Sequence, residues 1–339
     1  MTPAYLSQPE IKSVRRKLLA WYDVHQRDLP WRRDTDPYRV WVSEIMLQQT
    51  RVAAVLEHYA KFMNRFPSVD ALARAREQSV LAAWSGLGYY HRARRMHQAA
   101  KVIVREHGGQ FPSRFDDWLQ LPGIGRYTAA AIASIAFAEP VAVVDGNVER
   151  VLARLDGAAL RNGSAWDRAQ ALLAAKRPGD FNQAMMELGA TICTPRAPQC
   201  GRCPLSAFCR TRGEHPLPKP ASRKRKQLFY ALVEKDAAVM LVRRASDARL
   251  LAGMWELPQL HEPPNGNMVV ARLRHSITDT DYEVSVFRLR VPQVRPSVGL
   301  TWAKLNVPHR AWFSPQQWKR MALTGLARKI LTKLKRALL

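Results

Sequence analysis

Apolar residues recur at spacings of three and four along the first two thirds of the chain, which is the period of a helix with one buried face. Glycine pairs and a Pro-Gly step interrupt this pattern and mark turns between helices. A short apolar run then leads into a further helix that begins near residue 145. The pattern predicts earlier helices over residues 11–22, 37–66, 69–84, 90–107 and 128–137.

The period changes after a connector rich in proline and lysine, because such a segment is extended and forms no core of its own. Beyond it, runs rich in Val, Tyr and Phe predict strands over residues 229–234, 238–243 and 282–289. Near the C-terminus, a helix start is predicted by Ser314 as N-cap, Pro315 at the first helical position and Gln317, which completes a capping box. The amphipathic, basic tail over residues 326–339 either binds DNA or packs on the core with a solvated lysine face.

The chain is strongly basic, with 53 Lys and Arg against 28 Asp and Glu and a formal net charge of +25 over 339 residues. Such an excess favours nucleic acid as a partner, although a basic surface that binds nothing is an alternative. No run approaches the ~20 apolar residues of a membrane span, and no targeting segment is evident. We therefore expect a soluble bacterial protein of the cytoplasm, associated with the nucleoid and with no membrane partner.

All four cysteines lie in one short stretch, at Cys193, Cys200, Cys203 and Cys209. Converging thiolates suit zinc or an iron–sulfur cluster. A ribbon-type zinc site usually has two Cys-x-x-Cys pairs, whereas only one is present here, so the spacing favours a cluster over zinc. Two disulfides are a third option, which the lack of a secretion signal disfavours.

Two features between residues 121 and 150 point to a phosphate contact and a reactive carboxylate. Gly123 and Gly125 lie between two helical patterns, where a tight turn exposes N–H groups that can receive a phosphate oxygen. A plain turn between helices is the alternative. Asp145 lies at the start of the next helix, which Asn147 is expected to cap. Asp145 is therefore either reactive or a second helix cap.

Glu44 shares its helical face with Trp41, Leu47 and Gln48. A carboxyl group on an apolar face is poorly solvated, which favours its protonated form and suits a general acid. A Glu44 that reaches water or pairs with Gln48 is the open alternative. Cleavage of an N-glycosidic bond needs an acid for the leaving base and a carboxylate for the cationic sugar. Glu44 and Asp145 fit these two roles.

The order of hairpin, aspartate and four-cysteine loop resembles that of the helix-hairpin-helix DNA glycosylases with a 4Fe-4S cluster. Within them, the chain is most similar to the A/G-specific adenine glycosylases, the MutY family. The resemblance runs from about residue 18 to residue 209 and continues more weakly to the C-terminus. The segments that carry it are residues 29–32, 43–50, 86–90 and 181–189.

The residue at position 127 separates the two nearest branches of this superfamily. The resemblance places it where endonuclease III-type enzymes have a lysine that forms a Schiff base and cuts the strand. Tyr127 supplies no amine. The resemblance therefore implies a monofunctional glycosylase that hydrolyses adenine mispaired with 8-oxoguanine or guanine in double-stranded DNA. A bifunctional endonuclease III-type glycosylase/lyase and a DNA-binding protein without chemistry are the alternatives.

The resemblance also assigns roles to single residues. Glu44 would protonate adenine at N7, and Asp145 would stabilise the oxocarbenium ion, with Tyr127 and Asn147 assisting. Such enzymes flip the target base out of the stack. The pocket for the extruded adenine would be lined by Arg27, Trp31, Arg32, Leu47 and Gln183.

The remaining roles implied by the resemblance concern the DNA and the cluster. Gln49 and Tyr89 would insert into the duplex beside the opposing lesion, and the turn at Gly123 and Gly125 would contact phosphate. The cysteines would hold one 4Fe-4S cluster, whose loop would grip phosphates through two arginines. These are Arg196 and Arg202.

Residues 240–258 resemble the opening of a Nudix-type domain. Residues 259–275 contain only Glu262 as an acid, too few to hold the metal that Nudix hydrolysis needs. The resemblance therefore implies a recognition domain for 8-oxoguanine. The family loop that probes the lesion reads Phe-Ser-His. Here only Thr278 keeps a hydroxyl for that contact, and Asp279 would repel a nearby phosphate.

The expected architecture is multidomain, with an all-α helix-hairpin-helix glycosylase half that carries the iron–sulfur loop and an α+β Nudix-like half. We expect a monomer that binds double-stranded DNA between the two. The predicted boundaries are 1–212 for the helical region (a six-helix barrel over about 23–138, and a cluster subdomain from 1–22 with 139–212), 213–227 for the linker and 228–339 for the recognition domain.

Overall fold

Helices form most of the described chain before the connector, and a mixed β-sheet follows it. The described residues divide into two compact units. The helical unit comprises those of 1–73 and 98–219, and the sheet unit those of 74–97 and 220–339. The computed structural model describes residues 6–158, 160, 163–213, 222–245, 247–248, 251–264, 266, 268–277, 279–289, 309–318 and 320–337.

Turns and short connecting segments separate the helices. Short 3₁₀ turns lie at Pro30–Arg32, Cys200–Arg202 and Ser206–Phe208. In the described part of the chain the helices before the sheet are α1 (Gln8–His25), α2 (Pro37–Leu47), α3 (Val52–Arg65), α4 (Val69–Arg74), α5 (Glu77–Ala83), α6 (His91–His107), α7 (Phe115–Leu119), α8 (Arg126–Phe137), α9 (Gly146–Asp156), α10 (Ser164–Leu172) and α11 (Pro178–Thr191).

Two predicted helices are wrong in extent, because each is interrupted. The predicted helix over residues 37–66 is α2 and α3, and the break contains Gln49 with a φ of 53°. A left-handed residue cannot continue a right-handed helix. The predicted helix over residues 69–84 is likewise divided, into α4 and α5, with an extended Arg76 between them. The apolar spacing runs on across both breaks and so does not reveal them.

Helix α11 packs closely on two other helices of the helical unit through its glycines. A Cβ on Gly179 would lie 2.7 Å from the carbonyl oxygen of Ser134 in α8. A Cβ on Gly189 would lie 2.7 Å from the Cβ of Asn147 in α9. Since neither position has room for a side chain, α11 sets the positions of α8 and α9. The core beside it includes Leu18, Leu152, Leu172, Phe181 and Leu188.

The sheet unit contains a mixed sheet of seven strands within its described residues. The strand order is β3-β2-β1-β6-β5, with β4 paired to β1 and β7 paired to β2. Strands β1 and β6 are parallel, and the other pairs are antiparallel. The strands are β1 (Lys224–Lys235), β2 (Ala238–Arg243), β3 (Trp255–Glu256), β4 (Gln259–Leu260), β5 (Val269–Ile277), β6 (Thr280–Leu289) and β7 (His309–Phe313).

The C-terminal segment forms two helices, α12 (Pro315–Trp318) and α13 (Gly325–Ala337), where one was predicted. The predicted cap is present, because the Ser314 N–H donates to Gln317 Oε1 at 2.7 Å. Helix α13 packs its apolar face on the sheet. Lys329 and Lys333 are exposed beside that face, and their Nζ atoms donate to the β5 carbonyls of Arg274 and Arg272, each at 2.7 Å. Of the two alternatives for this tail, core packing with a solvated lysine face is therefore the one observed.

Candidate active site

Glu44 and Tyr127 meet inside the helical unit. Glu44 projects from α2 and is only 6% exposed. Tyr127 lies in the first turn of α8, and its hydroxyl donates to Glu44 Oε2 at 2.8 Å. The same hydroxyl lies 3.4 Å from the Sδ of Met186 in α11. The alternative that Glu44 reaches water is therefore wrong. The hydrogen bond that holds its carboxyl group comes from Tyr127 in another helix.

Burial raises the pKa of Glu44 from 4.5 to about 7. The hydrogen bond from Tyr127 lowers this pKa, the negative charge of Asp145 raises it, and the positive charge of Arg32 lowers it. Burial also raises the pKa of Tyr127 well above its usual value. The site thus contains a carboxyl group that can hold a proton near neutral pH, beside a hydroxyl that keeps its own.

Asp145 caps helix α9. Its Oδ1 accepts from the N–H groups of Asn147 at 2.9 Å and Val148 at 2.7 Å. Its Oδ2 accepts from the Nδ2 of Asn147 at 2.8 Å. The prediction that Asn147 caps this helix is wrong, because the helix begins at Gly146 and Asn147 already lies in its first turn. The Asp145 charge is therefore held at the positive end of the α9 dipole.

Arg27 and Arg32 meet at one carboxylate, that of Glu187 in α11. Arg27 Nε lies 2.6 Å from Oε1 of Glu187, and an Arg32 Nη atom lies 2.8 Å from its Oε2. The side chain of Glu187 is fully buried. Burial would raise the pKa of Glu187, but the hydrogen bond from Arg27 and the charge of Arg32 outweigh it and hold the pKa below its usual value. Sequence reasoning gave Glu187 no role, although it joins two of the predicted pocket residues.

Replacing Glu187 with Gln is expected to lower the free energy of unfolding by about 3 kcal/mol, because it leaves two arginines beside a neutral group. Urea unfolding at pH 7 measures this change. Asp180→Asn is the matched control, since Asp180 pairs with Arg177 on the exposed side of the same helix. That control is expected to cost less than about 1 kcal/mol. Equal losses in the two variants would contradict a special role for the buried cluster.

The other predicted pocket residues occupy mixed environments. Trp31 is 5% exposed, and its ring meets that of Tyr59 edge-on at 5.2 Å between centroids. Leu47 and Gln183 are half-buried. Core packing therefore accounts for the position of Trp31, and a pocket role for these three residues stays a prediction.

The predicted DNA-contacting positions are exposed turns. Gln49 is exposed with a φ of 53°, and Tyr89, in the sheet unit, is 38% exposed with a φ of 46°. Gly123 has a φ of 79° that favours glycine, and Gly125 is the N-cap of α8. Gly125 has no side chain that could accept a hydrogen bond from the first-turn N–H groups of α8. Thr278 lies outside the described residues.

The four cysteines are free thiols that line one cavity. Burial raises the pKa of the Cys203 thiol to about 11, and the charges of the three other cysteines raise it further. Four cysteines that line one cavity can all ionise only when a positively charged centre lies among them. The donor set therefore fits an iron–sulfur cluster, and the disulfide alternative is wrong. The cavity is lined in part by Cys193, Cys200, Cys203, Cys209 and Arg154.

Two arginines of α9 hold the first cysteine. Arg154 is 3% exposed and donates to the carbonyl oxygen and the Sγ of Cys193, each at 3.3 Å. Arg150 donates to the same carbonyl at 2.9 Å and to Asn147 Oδ1 at 2.8 Å. Neither arginine was singled out from the sequence, although both follow Asn147 at helical spacings of three and seven. Helix α9 thus joins the four-cysteine segment to the Asp145 cap.

Comparison with known proteins agrees with this geometry. A family model described as "HhH-GPD superfamily base excision DNA repair protein" matches residues 42–165, and one described as "Iron-sulfur binding domain of endonuclease III" matches residues 193–209. The adenine DNA glycosylase of Schizosaccharomyces pombe is 34% identical over 328 residues, which cover 75% of this chain and 70% of that protein. The chain belongs to the adenine DNA glycosylase family. Residues 193–209 are accordingly its iron–sulfur segment.

Other similar proteins differ from this chain in length. The adenine DNA glycosylase of Rattus norvegicus is 40% identical over 321 residues, which cover 76% of this chain. The chain spans 62% of that protein's length, less than two thirds. A solved structure of a thermostable thymine-DNA glycosylase aligns with a TM-score of 0.57 and 30% identity, over 60% of this chain and 97% of that one. The helical glycosylase fold is therefore shared with enzymes that differ in substrate.

No helix in the described part of the chain is long and apolar enough to cross a membrane.

Proposed function

We propose that this protein is a monofunctional adenine DNA glycosylase of base excision repair. It hydrolyses the N-glycosidic bond of adenine opposite 8-oxoguanine or guanine in double-stranded DNA. The observation that carries this proposal is the buried Glu44 with a pKa of about 7, bonded to Tyr127 and coupled to the charge of Asp145. An acid and an anion in one site are the two groups that N-glycosidic cleavage requires.

Each side chain of the site has a step in this reaction. Glu44 donates its proton to N7 of the extruded adenine, which turns the base into a neutral leaving group. Asp145 faces the sugar and stabilises the cationic charge that develops there. Tyr127 orients the Glu44 carboxyl group through its hydrogen bond, and Asn147 orients Asp145 through its amide.

Tyr127 also supports water as the group that takes the sugar. A lyase reaction needs an amine at this point of the hairpin to form a Schiff base. The pKa of the Tyr127 hydroxyl lies well above its usual value because of burial, so it remains protonated and poorly nucleophilic. This supports a monofunctional enzyme over the endonuclease III-type alternative.

The DNA-binding roles rest on exposure and charge. Arg27, Arg32, Trp31, Leu47 and Gln183 form the adenine pocket, in which Glu187 fixes the two arginines. Gln49 and Tyr89 enter the duplex, and the hairpin at Gly123 and Gly125 binds a phosphate through backbone N–H groups. Double-stranded DNA is the partner, the protein acts as a monomer, and the net charge of +25 supports the interaction.

The four cysteines hold one 4Fe-4S cluster, which supplies structural support when bound. Arg196 and Arg202 are both exposed on this segment and can reach phosphates from it. The chemistry belongs to Glu44, Tyr127 and Asp145. These residues lie on α2, on α8 and at the start of α9, outside the four-cysteine segment. The helical region over 1–212, the linker over 213–227 and the domain over 228–339 follow this division of roles.

The sheet unit supplies Nudix-like recognition of 8-oxoguanine. Its mixed sheet brings the β5–β6 hairpin to one end, with Asp279 exposed at the turn. Asp279 lies 3.4 Å from Lys224 Nζ and accepts from the Thr280 hydroxyl at 2.9 Å. Its charge is therefore partly offset, so repulsion of a nearby phosphate is weaker than the sequence suggests.

The rate of adenine release is expected to fall as pH rises through about 7, because Glu44 must be protonated to act. Above that point the fall is about tenfold for each pH unit. Tyr127→Phe removes a hydrogen bond that lowers the Glu44 pKa, so its falling limb is expected at higher pH. Single-turnover rates measured across this pH range give the falling limb of the wild type and that of Tyr127→Phe. A profile that is flat from pH 5 to 9 would contradict the assignment.

Single-turnover assays on duplexes with one adenine opposite 8-oxoguanine, guanine or thymine test the proposed function. We expect free adenine from the first two, none from the third, and strand breaks only after alkali treatment. Borohydride is added in a parallel series, with an endonuclease III-type lyase as the positive control. Covalent capture of this protein through a lysine would favour the bifunctional alternative. Binding without release from any duplex would favour a protein that has no chemistry.

A further inference from the structure

The turn that ends in Tyr89 has a strained backbone. Tyr89 has a φ of 46°, and Gly86 and Gly88 before it also have positive φ, of 115° and 72°. A residue other than glycine in this region costs on the order of 1 kcal/mol and persists only where its surroundings hold it. Tyr89 is nevertheless 38% exposed, so contacts of its side chain alone do not fix the turn.

Part of the support comes from the neighbouring helix. Arg92 in α6 is 5% exposed and donates to the carbonyl oxygens of Leu87 and Gly88, each at 3.3 Å. Its guanidinium lies 5.4 Å from the centre of the Tyr89 ring. The indole N–H of Trp84 donates to the Gly88 carbonyl at 3.1 Å. These bonds fix the middle of the turn to the helices on either side of it.

The two ends of the turn are tied to the C-terminal part of the sheet unit. The carbonyl oxygen of Leu323 accepts from the Ser85 hydroxyl and from the Tyr90 hydroxyl, both at 3.1 Å. The Tyr90 hydroxyl also accepts from the Gly86 N–H at 3.4 Å, and Arg328 Nε donates to the Ser85 hydroxyl at 2.8 Å. Ser85, Tyr90 and Leu323 are all buried. One carbonyl group therefore holds the residues before and after the Tyr89 turn.

A second attachment joins the same two segments. The side-chain amide of Gln78 donates to the Gly253 carbonyl at 3.2 Å, and Arg94 donates to the Ala252 carbonyl. The chain then enters β3, where Trp255 forms a bridge with Leu323. Both attachments thus lead to one part of the sheet, which explains why residues 74–97 belong to the sheet unit.

We propose that the C-terminal domain positions Tyr89 for insertion into DNA, through the bonds of Ser85, Tyr90 and Arg328 around the Leu323 carbonyl. This rests on the proposed function, in which Tyr89 enters the duplex. The domain then has a second task besides recognition of the lesion, since it also holds the residue that opens the base stack. Ser85, Tyr90 and Arg328 are positioning residues, because none of them touches the substrate.

The first test asks whether the anchor exists, independently of any activity. Hydrogen–deuterium exchange is followed in peptides that cover residues 84–92 of the full-length chain. Tyr90→Phe and Ser85→Ala each remove a bond to the Leu323 carbonyl, and exchange there is expected to rise about fivefold. Arg328→Met is the third anchor variant, since it removes the bond to the Ser85 hydroxyl. Arg320→Met is its matched control, because Arg320 is exposed and close in sequence. Unchanged exchange in all three anchor variants would overturn the proposal.

The second test asks whether the anchor acts through Tyr89. Extrusion of 2-aminopurine from a duplex, seen as a rise in fluorescence, is measured for Tyr90→Phe, Tyr89→Ala and the double variant. We expect about a fivefold slower rise with Tyr90→Phe and no further slowing when it is added to Tyr89→Ala. Additive effects would overturn the positioning role, since a merely destabilised fold slows both backgrounds equally. If the wild type extrudes the base but releases no adenine, the proposed function fails while this result stands.

Discussion

Adenine release is expected to slow by on the order of 10³-fold when Glu44 is replaced by Gln. Glutamine has nearly the same shape, and its amide oxygen can still accept the hydrogen bond that Tyr127 donates at 2.8 Å. The amide cannot supply a proton to N7, however, so adenine must leave as an anion. A single-turnover assay on a duplex with adenine opposite 8-oxoguanine measures the rate.

Two controls separate this chemical loss from damage to the fold. Glu57 is exposed on α3, so Glu57→Gln makes the same substitution where no proton transfer is proposed. It is expected to keep the wild-type rate. Glu44→Gln should bind the same duplex with an affinity within about threefold of the wild type. The reason is that protonated Glu44 is neutral when DNA binds, as glutamine is. A Glu44→Gln rate within tenfold of the wild type would refute the acid assignment.

Asp145→Asn is expected to slow adenine release by a similar factor, on the order of 10³-fold, because it removes the negative charge that faces the sugar cation. Asparagine is as good a helix cap as aspartate. Its amide oxygen can accept from the N–H groups of Asn147 and Val148 as Asp145 does now. The single-turnover rate should therefore collapse while the melting temperature changes little.

Asp36 provides the matched control for this substitution. It caps α2 in the same way, with its Oδ1 accepting from the Arg39 N–H at 3.0 Å, and it is exposed. Asp36→Asn therefore tests the loss of a capping charge without loss of a reactive group. Equal rate losses in the two variants would show that capping, and not charge at the sugar, explains the effect of Asp145.

Helical periodicity was enough to place Glu44 on an apolar face, and its 6% exposure agrees with that prediction. The partner of Glu44 could not be predicted in the same way. Tyr127 is 83 positions away in sequence and reaches Glu44 only because α8 packs beside α2. A pattern along one helix gives the direction of a side chain, whereas its hydrogen-bond partner depends on packing between helices.

Glu187 shows a signal that the sequence did contain. It lies in a mostly apolar helix, three positions after Ala184 and directly before Leu188. A helix that is apolar on most sides is expected to be buried, and Glu187 with it. The pattern cannot distinguish a buried carboxyl group that holds a proton from one that stays charged. Glu187 stays charged because it meets Arg27 and Arg32. The sign of a pKa shift depends on the neighbours that the fold supplies.

Strand β5 illustrates the opposite case, because the residues of the strand alone are enough to indicate it. Ala271 and Leu273 alternate with Arg272 and Arg274, the period of a strand with one solvated face. This strand is nevertheless absent from the elements predicted from the sequence. The breaks after α2 and α4 are different, because backbone turns such as Gln49 leave the apolar spacing intact.

Helix α9 has a consequence for how this protein would respond to iron supply. Asp145 precedes its first residue, and Arg150 and Arg154 hold Cys193 from its later turns. From Asp145 to Arg154 the helix rises about 14 Å, at 1.5 Å for each residue, and a rod of this length moves as one piece. A chain made under iron starvation would therefore keep every reactive side chain, and the change at its cysteine segment would reach Asp145 through α9.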